Sequence, residues 1–197
     1  PKIVVDAAYQ TILEEVVTRH VEHFVKQTGL DKIVMSGGVV ANVKLNQRIH
    51  EIEGVRDIYI HPGMGDGGLG TGAAVLKYAT AGVPTPPMKS AYLGPEYSDE
   101  EIETALRDAG LDFDRFDEIE PEIARLIAEN HGVARFNGRM EYGPRALGNR
   151  SILYPALDPG VNQWLNERLG RTEFMPFAPA TLYEDRDQCY QNVAGAE

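Results

Sequence analysis

At 197 residues, 43% hydrophobic and 25% charged, the chain has the composition of an ordinary globular protein, with room for one large domain or two small ones; two are expected. Its 19 basic and 30 acidic residues leave a formal charge of -11, which argues against a general nucleic-acid or anionic-membrane surface and leaves small anions, drawn into local basic clefts, as the expected ligands. Cys189 is alone, no apolar run reaches the ~18 residues of a membrane span and no charged-then-apolar leader opens the chain, so a cytoplasmic setting without membrane or nucleic-acid partners is expected. The start at Pro1 and the want of a closing element after Gln191 suggest a piece of a longer chain whose N-terminal half is missing.

In residues 8–27 the apolar Ile12, Leu13, Val16, Val17, Val21, Phe24 and Val25 recur at three- and four-residue spacing, and Gly29 supplies a stop, which predicts an amphipathic helix. Residues 32–36 read as a short buried strand, Gly37 and Gly38 as a turn, and residues 41–52 as a helix. A second strand follows at 57–61, a glycine-rich loop at 62–70 and a small-residue helix at 71–81. Strand, glycine turn and helix, twice over, predict an α/β fold. His20 and His23 share a face of the first helix beside its apolar stripe and are expected to be solvated rather than metal-bound; His61, bordering the glycine loop, is expected in a core or loop role.

Residues 82–95 carry Pro84, Pro86, Pro87, Gly94 and Pro95 without apolar periodicity. They suggest a first domain over 1–82, a linker over 83–97 and a second domain over 98–197. Ser98 and Glu101 form a capping-box pattern ahead of a helix to about 109, residues 121–130 read as another helix, and strands are expected at 132–136 and 151–155, with a helix at 158–169.

Three segments carry the chemistry. Residues 138–151 read G-R-M-E-Y-G-P-R-A-L-G-N-R-S, and between 135 and 151 four arginines accompany one glutamate, against the acidic trend of the chain. Arginine's planar fork donates paired hydrogen bonds to phosphate or carboxylate and stays charged when partly desolvated; the glycines let backbone N–H groups approach a ligand, and Pro144 fixes the turn. An anion site is expected, the alternative being a solvated loop paired with nearby acids. Residues 35–42, M-S-G-G-V-V-A-N, put two glycines between a strand and a helix, where N–H groups can face phosphate or ribose, although a tight turn needs no ligand. Residues 61–74, H-P-G-M-G-D-G-G-L-G-T-G-A-A, hold Asp66 among glycines, suited to a cation or to capping the next helix.

Through the 138–151 motif the chain resembles the O-carbamoyltransferase family, enzymes that carbamoylate nodulation factors, cephems and aminoglycosides. The family's YrdC-like domain carries a G-R-x-E-x-G-P-R-A-L-G-x-R-S signature. The two glycine segments are similar to the G-G-V-x-x-N and G-D-x-G-x-x-x-G-A-A segments of its Kae1-like ASKHA nucleotide-binding domain. The resemblance implies a partial ASKHA (Kae1-like) lobe followed by a YrdC-like α/β domain incomplete at its C-terminus. It also implies a reaction in which carbamoyl phosphate and ATP, with Mg, give carbamoyl adenylate, whose carbamoyl group passes to a small-molecule hydroxyl on a sugar or natural product.

On this resemblance Arg139, Glu141, Arg145, Arg150 and Ser151 line the adenylate-forming site, with Glu141 orienting an arginine or accepting from the carbamoyl NH₂. Gly37, Gly38 and Asn42 contact the adenylate, with Gly65 and Gly67 flanking Asp66, the aspartate ligand of a divalent metal (Fe, Mn or Zn). The family completes that metal with an H-x-x-x-H pair, which this sequence does not contain. Residues 169–179 are similar to a K-x-R-E-x-F-R-P-F-A-P segment and add Arg171, but Leu169 and Met175 stand where lysine and arginine are usual. Two alternatives remain open: a threonylcarbamoyl-adenylate enzyme acting towards tRNA, and a non-catalytic nucleotide-binding module.

Overall fold

The computed structural model describes residues 2–157, 160–170 and 177–191. Helices alternate with two small sheets, an α/β composition. The chain divides into two compact units, Pro1–Gly94 with Glu141–Arg145, and Pro95–Met140 with Ala146–Glu197.

The first unit opens with α1 (Lys2–Thr28), which starts ahead of residue 8 because neither glycine nor proline interrupts the residues before it. Gly29, at φ 70°, stops it by donating its N–H to the Val25 carbonyl. Strands β1 (Lys32–Met35) and β2 (Asp57–Ile60) pair in parallel, Lys32 opposite Asp57 and Met35 opposite Ile60. Parallel strands need a crossover, and α2 (Val43–His50) supplies it. That helix starts later than residue 41 because Gly38–Ala41 closes into a 3₁₀ turn and Asn42 caps the helix, its Oδ1 accepting from Leu45 N–H at 3.0 Å. A 3₁₀ turn at Asp66–Gly68 likewise leads into α3 (Leu69–Thr80), two residues earlier than the glycines suggested.

Leu45 and Ile49, one turn apart on α2, are fully buried and form the core with Ile52. Leu13, Val17 and Val21 of α1 pack on one side, Met35, Val55 and Ile58 on the other. The strands alternate accordingly: Ile33 and Met35 are half-buried while Val34, between them, is 76% exposed. Around the core, Arg48 on α2 donates to Glu14 on α1 at 3.1 Å. Glu14 also accepts from Gln10 at 2.8 Å, and these two bonds, Gln10 first, hold its carboxyl below the ordinary value.

The second unit begins with α4 (Asp99–Asp108), where Ser98 and Glu101 make the reciprocal capping box. Next comes α5 (Glu120–Ala128), with Pro121 in its first turn, followed by Asn130 at φ 71°. Strands β3 (Val133–Phe136) and β4 (Arg150–Leu153) pair antiparallel, Val133 opposite Leu153 and Phe136 opposite Arg150, so the arginine-rich segment is the connection of a hairpin. The chain continues through α6 (Val161–Arg168), which buries Leu165, to α7 (Arg186–Cys189). The predicted helix start at 158 lies outside the described residues. Among the described residues no helix is long and apolar enough to cross a membrane.

Candidate active site

In the first unit both glycine segments leave the carboxyl ends of the parallel strands, and two hydrogen bonds join them: Gly37 N–H and the Ser36 hydroxyl both donate to the Met64 carbonyl, at 2.8 and 3.3 Å. Such strand ends are where open α/β sheets bind ligands. Between the loops and the first turns of α3 lies a cavity of about 450 Å³. Ser36, Gly37, Gly65, Asp66 and Thr71 contribute polar groups to its lining, and Leu69, Val75 and Leu76 apolar side chains. Its size is that of a small-ligand site. The α3 N-terminus adds amide groups, whose partial positive charge favours an anion.

A segment distant in sequence completes this unit. Glu141 is buried and bridges to Tyr92, while Tyr142 N–H donates to the Ala91 carbonyl at 2.6 Å. The Tyr142 hydroxyl donates to Thr71 Oγ1 at 2.9 Å and lies 3.1 Å from His61 Nε2, with the two rings meeting edge to face. A Cβ at Gly63 would sit 2.5 Å from the Tyr142 oxygen, so the loop accepts the phenol only with glycine there. Arg145, exposed, donates to the Ala41 carbonyl at 3.0 Å, at the end of the first glycine segment.

In the second unit the remaining motif residues hold the hairpin connection together. Arg150 donates to the carbonyls of Asn137, Asn149, Gly138 and Pro95 at 2.8, 3.2, 3.1 and 3.3 Å, with its guanidinium 3.6 Å from the Phe136 ring centroid. Ser151 Oγ accepts from Gly148 N–H at 2.8 Å, and Asn149 Nδ2 donates to the Arg139 carbonyl at 2.7 Å. The Arg139 guanidinium pairs with Glu96 at 3.2 Å, both exposed, an arrangement that costs little to open.

Sequence profiles for the carbamoyltransferase N-terminus and C-terminus match residues 3–75 and 124–196 respectively. The chain belongs to the carbamoyltransferase family. Relatives include an uncharacterized protein of Methanocaldococcus jannaschii, 38% identical over 94% of this chain and 32% of its own length. The nodulation protein NolO of Bradyrhizobium diazoefficiens is 33% identical over 95% and 35%, and the nodulation protein NolNO of Sinorhizobium fredii 32% identical over 94% and 28%. This carbamoyltransferase-family chain thus spans about a third of the length of the curated relatives it matches.

Of the residues singled out from sequence, Gly37, Gly65 and Asp66 line the first-unit cavity, and Gly38 and Gly67 belong to the same two turns. Asn42 sits at the α2 cap with both ends of its amide engaged, Oδ1 by Leu45 N–H and Nδ2 by Gln10 at 2.7 Å. The motif residues divide, Glu141 and Arg145 with the first unit, Arg139, Arg150 and Ser151 with the second. Arg171 lies outside the described residues. Asp66 is exposed, and the described residues contain no group of three or more His, Cys, Asp or Glu that could hold a metal, so these residues by themselves do not complete the implied centre. His20 and His23 are exposed, with ring edges against Phe24. Tyr142 and Thr71 escaped sequence reading, because the partners that bring them together lie 81 and 71 residues apart and leave no spacing to read.

Proposed function

We propose that this chain belongs to an ATP-dependent O-carbamoyltransferase. Carbamoyl phosphate, ATP and water give carbamoyl adenylate, pyrophosphate and inorganic phosphate, and a small-molecule hydroxyl then attacks the carbamoyl carbon, releasing AMP. The first unit acts as the Kae1-like ASKHA lobe that holds the adenylate, and the second as the YrdC-like adenylate-forming domain. The observation that carries the reading is the cavity of about 450 Å³ between the two joined glycine turns at the strand carboxyl ends, in a chain of the carbamoyltransferase family.

This chain's own groups suit those tasks. Ser36, the α3 amides and Thr71 meet phosphate oxygens, and Leu69, Val75 and Leu76 offer the base an apolar wall. Arg145 bears on the first glycine segment and supplies a fixed positive charge there, while Arg139 in the second unit can exchange Glu96 for an anion. Bound with ATP, Mg would screen the phosphates; its ligands would come from the nucleotide. No step is assigned to a further metal at Asp66. Acceptor choice is proposed to lie in the part of such proteins beyond this chain, since the relatives are about three times as long.

A binding module without catalysis is the second reading, favoured by Asp66 being the one carboxylate among the described lining residues of the cavity. Pyrophosphate release by the full-length protein from ATP and magnesium, with and without carbamoyl phosphate, decides between them. Release that depends on carbamoyl phosphate supports the transferase. ATP binding without release supports the module, and release that demands threonine and bicarbonate would turn the reading towards the tRNA-modifying type.

A further inference from the structure

A chain of polar groups runs from β2 to the cavity wall. Tyr59 OH lies 3.5 Å from His61 Nδ1, His61 Nε2 lies 3.1 Å from Tyr142 OH, and Tyr142 donates to Thr71 Oγ1 at 2.9 Å. Each hydroxyl has one proton to give, so the Tyr142 proton, once given to Thr71, leaves the phenol oxygen to accept from His61. That assigns the imidazole proton to Nε2 and the lone pair to Nδ1, facing Tyr59. Thr71 Oγ1 then accepts from Tyr142, and among the described residues no acceptor takes its own proton, although Thr71 lines the cavity. Tyr142 itself is held by its N–H on the Ala91 carbonyl and lies so close to Gly63 that a side chain there would meet the phenol, while His61 also lines the cavity.

We propose that Tyr142 is a positioning residue of the first-unit cavity: by engaging the lone pair of Thr71 Oγ1, it aims the Thr71 hydroxyl proton at an oxygen of a phosphate-bearing ligand. The series His61 to Tyr142 to Thr71 to ligand is polarised in one direction, and each donor strengthens the next. This inference rests on the reading that the cavity holds the adenylate. It deepens that reading by naming a phosphate donor, Thr71, and the residue that orients it, neither of which belongs to a glycine turn. It also gives Tyr142 a task apart from that of its arginine-rich neighbours in sequence.

The test is a double-mutant cycle on the full-length protein with AMP as the probe, the nucleotide that the proposed transfer leaves in the first-unit cavity, read by calorimetry. Thr71→Val and Tyr142→Phe should each weaken binding about tenfold, the worth of one hydrogen bond to a charged group. The double variant should be no weaker than Thr71→Val alone, because Tyr142 acts through Thr71. Thr71→Ser should restore binding. Wild-type affinity in Tyr142→Phe, or penalties that multiply to about a hundredfold in the double variant, would overturn the inference while leaving the functional reading standing. No AMP binding by the wild type would sink the reading that this cavity holds the adenylate, and this inference with it. Nitrogen-15 correlation spectra of the wild-type His61 ring give a check that needs no variant: a proton on Nε2 is expected, and a proton on Nδ1 overturns the proposal.

Discussion

Gln10 of α1 and Asn42 at the head of α2 exchange two side-chain hydrogen bonds, Asn42 Nδ2 to Gln10 Oε1 at 2.7 Å and Gln10 Nε2 to Asn42 Oδ1 at 3.2 Å. The same Asn42 Oδ1 caps α2 through Leu45 N–H. Asn42→Ala should therefore destabilise the fold by about 1–2 kcal/mol, the loss of a cap, with the Gln10 Oε1 left without its Asn42 donor adding to it. Asn42→Asp keeps the cap acceptor and should lose less. Urea denaturation monitored by circular dichroism checks both, and an unchanged midpoint in Asn42→Ala would show that the amide does not support α2.

Arg150 poses the same question of structure against ligand contact. With four backbone carbonyls and the Phe136 ring around its guanidinium, it braces the turn between β3 and β4. Lysine retains the charge but not the planar fork or the stacked face. Arg150→Lys should cost about 1–3 kcal/mol of stability and speed hydrogen exchange at the Asn137 amide, which donates to the Asn149 carbonyl at 2.9 Å. If denaturation and exchange stay as in the wild type while only anion binding changes, the bracing role is refuted.

The fold was legible where periodicity or turn chemistry was local. The recurrence of apolar residues, among them Leu13, Val17 and Val21, at three- and four-residue spacing exposed α1, and the Ser98 and Glu101 pair marked α4. Helix starts were read less well, at Val43 and at Leu69, because glycines that look like loop in sequence close into 3₁₀ turns. The two glycine turns of the candidate site were visible for the same local reason. The association of Glu141–Arg145 with the first unit was not, since Tyr142 meets His61 and Thr71 across 81 and 71 residues of sequence, and such pairing leaves no spacing to read.

Acid stability should depend on Glu14. Gln10 first, and then Arg48, hold its carboxyl below the ordinary value. A carboxyl depressed in the folded state contributes stability above its unfolded value near 4.5, and that contribution is lost as pH falls through the lower folded value. Glu14→Gln should lower the melting temperature at pH 7, with the gap to wild type narrowing progressively below pH ~4.5. Melting curves from pH 7 to 2.5 test this; a gap that is constant with pH would show that the carboxylate charge is not what Arg48 and Gln10 stabilise.

Gly68 and Gly70, two residues apart at the head of α3, should respond to alanine in opposite directions. A Cβ at position 68 would lie 1.9 Å from the Gly63 carbonyl oxygen and 3.0 Å from its carbon, with only backbone to give way. Gly63 cannot retreat freely, because its other side faces the Tyr142 phenol. Gly68→Ala should therefore cost about 1–3 kcal/mol through overpacking and shift a loop that lines the cavity, weakening AMP binding as well. At Gly70 nothing lies within 4 Å of the added methyl, and the residue is already helical. Gly70→Ala should stabilise by about 0.5–1 kcal/mol, because alanine loses less backbone entropy than glycine on entering a helix. Equal effects of the two substitutions on the urea midpoint would mean that the contact between Gly68 and Gly63 does not hold the loop.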